Sequence, residues 1–115
     1  MVVLAALALS SIALAPAALA APTNAVHITA VASGLRFDTK IVTAKAGKIT
    51  IVFVNKSALH HNVRIELGEK ELGGTKTIGK GSTTAVVTLK KGKYHFYCSV
   101  PGHEDAGMSG YLVVS

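Results

Sequence analysis

"KYHFYCSVPGHEDAGMSGYLVV", residues 93–114, is the stretch from which the rest of the chain can be read. In its first part Tyr94, Phe96 and Cys98 share one parity while Lys93, His95 and Tyr97 share the other, the pattern of a strand whose side chains alternate between two faces. Gly110–Val114 reads as a second strand. The segment between them carries the turn-forming Pro101, Gly102 and Gly107, and it places Cys98, His103 and Met108 at even intervals. A thiol, an imidazole and a thioether therefore share one strand end and the loop that follows it.

The same punctuation extends upstream. Val26–Ala32, Phe37–Ala44, Lys48–Asn55, His61–Leu67 and Thr83–Leu89 are apolar-rich runs separated by Gly34, Ala46-Gly47 and other turn residues, and no amphipathic helical pattern interrupts them. With the two C-terminal strands this makes seven, which predicts an all-β fold, an antiparallel β-sandwich with Greek-key connections. Gly68–Ser82, rich in Gly, Lys and Thr, reads as a surface loop. In "HNVRIEL", His61 shares parity with Val63, Ile65 and Leu67, so His61 is expected to point inward, with His60 and Asn62 outward. Cys98, in register with Tyr94 and Phe96, points inward as well.

Composition narrows the function. No Asp, Glu, Lys or Arg precedes Arg36, and "MVVLAALALSSIALAPAALA" ends in Ala18-Leu19-Ala20, so residues 1–20 read as a secretory signal and 21–115 as one small domain. An uncleaved membrane anchor is the alternative, because about 20 apolar residues suffice to cross a bilayer. Either way the domain is expected outside the cytoplasm, in the periplasm or its equivalent. Twelve Lys/Arg against six Asp/Glu give a formal charge of +6, which favours acidic partners. The lysines are scattered from Lys40 to Lys93 without an aromatic reader motif, which argues against nucleic acid. The single Cys98 cannot form a disulfide within the chain, so it is either a buried small hydrophobe or a reactive or metal-binding thiol.

His61, Cys98, His103 and Met108 make a candidate four-ligand metal site. Two imidazoles and a thiolate with a weak axial thioether suit copper in both oxidation states. Structural zinc prefers four strong ligands, and an iron–sulfur cluster needs more thiols. Taken singly, each residue has a plainer explanation: Met fills core gaps, a loop histidine is solvated, and Asn62 on an outward face needs none. "GTKTIGKG", residues 74–81, lacks the Ser or Thr that a phosphate-binding loop places after its Lys, and Asn55-Lys56-Ser57 is a short glycosylation pattern that arises by chance. His27 and His95 lie on strands without ligand-like neighbours, and His60 reads as a residue flanking the candidate ligand His61.

The Cys-x4-His-x4-Met loop containing "VPGH" and "GMSG", with the upstream "HHN", resembles the copper site of the cupredoxins, small type 1 blue copper proteins, and is most similar to the rusticyanin and auracyanin loops. The resemblance implies a cupredoxin-like β-sandwich holding one type 1 copper on His61, Cys98, His103 and Met108, the first ligand being the histidine directly before an Asn. It further implies a hydrogen-bonded bridge from Asn62 to Ser99. Pro101, Gly102, Gly107 and Gly110 are expected to shape the loop. The implied function is one-electron transfer rather than catalysis, with His103 as the exit for the electron inside an apolar surround of Val100, Pro101, Ala106 and Met108. The expected partners are redox proteins such as a cytochrome or oxidase subunit with an acidic surface, and the chain is expected to act as a monomer. A periplasmic copper carrier or buffer is the alternative function.

Overall fold

The computed structural model describes residues 24–115 together with residues 2, 3, 5, 6 and 8–13. The signal or anchor boundary expected at Ala18–Ala20 lies outside the described residues. Among those described there is no helix long and apolar enough to cross a membrane.

Among the described residues eight strands form in chain order: β1 (Ala25–Ala30), β2 (Ile41–Ala44), β3 (Gly47–Asn55), β4 (Arg64–Leu67), β5 (Lys70–Gly74), β6 (Gly81–Leu89), β7 (Gly92–Tyr97) and β8 (Ser109–Val114). One sheet has the order β1-β3-β6 and the other β2-β8-β7-β4-β5. Successive strands hop repeatedly between the two sheets. That routing makes the sheets mixed: β1 runs parallel to β3, and β2 parallel to β8, while the remaining pairs are antiparallel. The expected sandwich is thus present, with two parallel pairings that strand spacing alone does not reveal.

Alternation explains the core. The inward sets Val26/Ile28/Ala30, Ile49/Ile51/Phe53, Val87/Leu89, Tyr94/Phe96 and Leu112/Val114 are all buried, as are Val63 and Ile65. Fully burying an aliphatic or aromatic side chain of this size contributes about 1.5–3 kcal/mol. Phe37 sits between the sheets, edge-on to Phe53 at 6.2 Å and tilted against Phe96 at 5.7 Å. Its segment departs from the expected long strand: Phe37 makes only an isolated bridge to Ala30, and pairing resumes at Ile41.

Two further departures have local causes. Leu67 is exposed although its parity is inward, because β4 ends there, beyond the bulge that shifts its pairing with β5 between Ile65 and Glu66. The expected loop Gly68–Ser82 contains β5, a sheet-edge strand of sequence KELGG. With one apolar residue to alternate, nothing in that segment signals a strand. Gly74 is required there by contact, since a Cβ at this position would lie 2.2 Å from the Val63 carbonyl oxygen.

Candidate metal centre

The site lies where β7 ends and where the chain approaches β4. His61 precedes β4 and is fixed by a two-way backbone bridge with Ile78: its N–H donates to the Ile78 carbonyl at 3.0 Å, and Ile78 N–H returns the bond at 2.9 Å. Asn55 supports the same place from the end of β3. Its amide donates to the carbonyls of Leu59 (2.8 Å) and Ile78 (3.0 Å), and its Oδ1 accepts from Ser57 N–H (2.9 Å). Asn55 is buried, so its side chain is structural and closed to glycosylation in the folded chain.

The loop after β7 is a tight cage of backbone bonds. Cys98 N–H donates to the Met108 carbonyl (3.1 Å), Met108 N–H to the His103 carbonyl (3.1 Å), and His103 N–H to the Val100 carbonyl (3.0 Å). Gly102 and Gly107 take φ values of +83° and +112°, which a side chain would strain. Gly110 serves differently from the expected loop shaping: a Cβ there would meet the Phe96 ring at 2.4 Å and the Lys40 carbonyl oxygen at 2.5 Å. From outside, the Lys40 ammonium donates to the Gly107 carbonyl at 2.7 Å, just before Met108.

These supports bring three donor atoms together. His61 Nδ1 and His103 Nδ1 are 3.0 Å apart, and Cys98 Sγ lies 3.8 Å from the first and 3.6 Å from the second. A triangle with these sides has a centre about 2 Å from every corner, the length of a metal–nitrogen bond and close to that of a metal–sulfur bond. The donor set therefore fits a metal ion of the first transition row. His61, Cys98 and Met108 are fully buried, and His103 is partly exposed. Met108 thus cannot form part of a surface patch around His103, contrary to the expectation for that surround; Pro101 and Ala106 are exposed there and Val100 partly so.

Burial, and then the neighbouring His103 and His60, push the His61 imidazole below its ordinary value of 6.5. The shift favours the neutral ring, the form in which it offers a lone pair. Its Nε2 is buried without a partner, so packing and the Nδ1 neighbours orient the ring.

Asn62 is buried rather than outward, and it ties the two halves of the site. Its amide donates to Ser99 Oγ (2.7 Å) and Thr77 Oγ1 (2.9 Å), while Ser99 N–H donates to Asn62 Oδ1 (2.8 Å). The bridge implied by the resemblance is present in both directions, locking the residue after Cys98 to the residue after His61. Thr75 adds a bond that sequence reasoning missed: its Oγ1 accepts from Val63 N–H at 3.0 Å. Thr75, Thr77 and Ile78 all lie in the stretch expected to be a surface loop. Only the clustering of short hydroxyl side chains there hinted at backbone-bonding work.

A search of curated proteins by sequence returned no match. Among solved structures, an auracyanin from the photosynthetic bacterium Roseiflexus castenholzii is 27% identical, with a TM-score of 0.75 over 83% of this chain and 99% of its own. Auracyanin A, a blue copper protein from the green thermophilic bacterium Chloroflexus aurantiacus, is 25% identical, with a TM-score of 0.71 over 79% and 98%. Reduced rusticyanin shares the fold at 23% identity and a TM-score of 0.67, over 83% of this chain and 82% of its own. The family model for copper binding proteins of the plastocyanin/azurin type matches residues 24–115, which hold every strand and all four candidate ligands. The His61, Cys98, His103 and Met108 arrangement fits one type 1 copper per chain. With sandwich, donor triangle and sequence in agreement, the chain belongs to the plastocyanin/azurin family of copper-binding proteins, the cupredoxins.

Proposed function

We propose that this protein is a one-electron carrier whose copper is held by His61 Nδ1, His103 Nδ1 and the Cys98 thiolate, with the Met108 thioether as a weak axial ligand. The convergence of the three donors on one point about 2 Å from each carries the reading. The bound metal supplies a Cu(II)/Cu(I) couple. The chain supplies the rest. Asn62 and Ser99 hold the Cys98 segment against the His61 segment, and the backbone cage of residues 98–109 keeps the loop in one geometry, so little needs to move when an electron arrives. Burial of His61, Cys98 and Met108 keeps water from the ligands and leaves no obvious open position for a substrate, which argues for transfer rather than catalysis.

His103, the partly exposed ligand, is the exit for the electron, beside exposed Pro101 and Ala106. The +6 formal charge favours a redox partner with an acidic surface, such as a cytochrome or an oxidase subunit. The uncharged, apolar first 20 residues support a place outside the cytoplasm, and the chain is expected to act as a monomer.

A periplasmic carrier that hands over copper itself needs ligands a recipient can reach, and the buried thiol and thioether disfavour it. Voltammetry separates the two. The electron-carrier reading expects many reversible one-electron cycles with copper retained; progressive copper loss on reduction would favour the carrier.

A further inference from the structure

On the outer face of the five-stranded sheet, Glu66 of β4 and His95 of β7 are direct cross-strand partners, with Glu66 Oε1 2.8 Å from His95 Nδ1. The His95 ring is stacked on Tyr97, with centroids 5.6 Å apart and planes 9° apart, and it meets Tyr111 at 5.8 Å. Two aromatic neighbours fix its orientation. Glu104 reaches the same place from the loop after β7, and one ligand atom from each of Glu66, His95 and Glu104 lies within 4.8 Å of the others. Two carboxylates held this close repel unless positive charge lies between them. The next carboxylate, Glu71, is already paired with Arg64.

Beside Glu66 and His95 opens a surface hollow of about 350 Å³, lined also by Gly68, Lys93 and Tyr111 but not by Glu104. Lys93 lines the same hollow, and its ammonium lies over the Tyr111 ring, 4.1 Å from the centroid.

We propose that Glu66, His95 and Glu104 form a second, surface metal site that takes a borderline divalent cation of the Zn²⁺ class. An imidazole with two carboxylates suits such an ion; Ca²⁺ and Mg²⁺ prefer oxygen ligands alone, and Cu(I) prefers sulfur. Partial exposure makes the ion exchangeable. Five of the six acidic residues, Glu66, Glu69, Glu71, Glu104 and Asp105, fall in the two segments that build this side. An ion here neutralises the acidic side of a basic protein, one residue along the chain from His103.

The test is a calorimetric titration of the copper-loaded full chain with Zn²⁺, with the blue absorption followed in parallel. One equivalent is expected to bind with the blue band intact, and Glu66→Gln and Glu104→Gln are each expected to weaken binding by about tenfold or more. Absence of binding at millimolar Zn²⁺, unchanged binding in both variants, or uptake only as the blue band bleaches would overturn the proposal. The copper site uses other residues, so the two readings fail separately. A chain that forms no blue band sinks the electron-carrier reading, while Zn²⁺ stoichiometry in a Cys98→Ser chain still decides this one.

Discussion

Asn62 shows how much a single side chain can carry at this site. Its buried amide and carbonyl make three part-buried bonds, two of them to Ser99 and one to Thr77. Replacing it by alanine leaves the Ser99 N–H without its acceptor, so Asn62→Ala is expected to lower stability by about 1–3 kcal/mol, read as a shift in the urea midpoint. An unchanged midpoint would mean that the bridge contributes nothing. His61 makes a prediction in pH. Its folded value lies below the ordinary 6.5, so between these two values the unfolded chain binds more protons than the folded one. Stability of the metal-free chain is therefore full above about pH 6.5 and falls as the pH drops toward the lowered folded value. Urea midpoints at pH 7.5 and pH 5 check this; a higher midpoint at pH 5 would contradict the sign. The alternation of Val63 and Ile65 made the inward aim of His61 legible, and that of Tyr94 and Phe96 did the same for Cys98. The burial of Asn62 was not legible from parity. It depends on Ser99 and Thr77, which are distant in sequence.

Among the elements, β7 and β8 were the most readable and β5 the least. The first two bury one full side of their alternation, so the period-2 signal is strong. β5 is an edge strand whose Gly74 is required by close approach to the start of β4, a constraint set by a neighbour and invisible in local pattern. The parallel pairings escaped for the same reason, because strand direction is decided by which sheet the chain crosses to. Gly110 tests the packing of β8. Gly110→Ala places a methyl group against the Phe96 ring and the Lys40 carbonyl and is expected to cost about 1–3 kcal/mol in thermal or urea unfolding. A neutral result would show that the ring can move aside, and the cage next to Met108 would then be looser than described.

The whole molecule combines a net positive charge with a partly exposed candidate ligand, His103, among Pro101, Ala106 and the acidic pair Glu104 and Asp105. Attraction between the net positive charge of the molecule and an acidic partner, which Glu104 and Asp105 oppose locally, should weaken as salt shortens the Debye length to about 8 Å at physiological strength. Pro101→Glu, which adds a like charge where the partner is expected to dock, should slow electron exchange by about tenfold or more without altering the blue spectrum. Unchanged exchange would move the exit away from His103. The central claim, that His61, Cys98 and His103 hold one copper, is tested most directly by titrating the purified chain with Cu(II) beside a Cys98→Ser variant, following visible absorption and EPR. An intense blue thiolate-to-copper band with narrow copper hyperfine splitting is expected, saturating at one copper per chain and absent in the variant. A pale copper signal that is indifferent to Cys98 would contradict it.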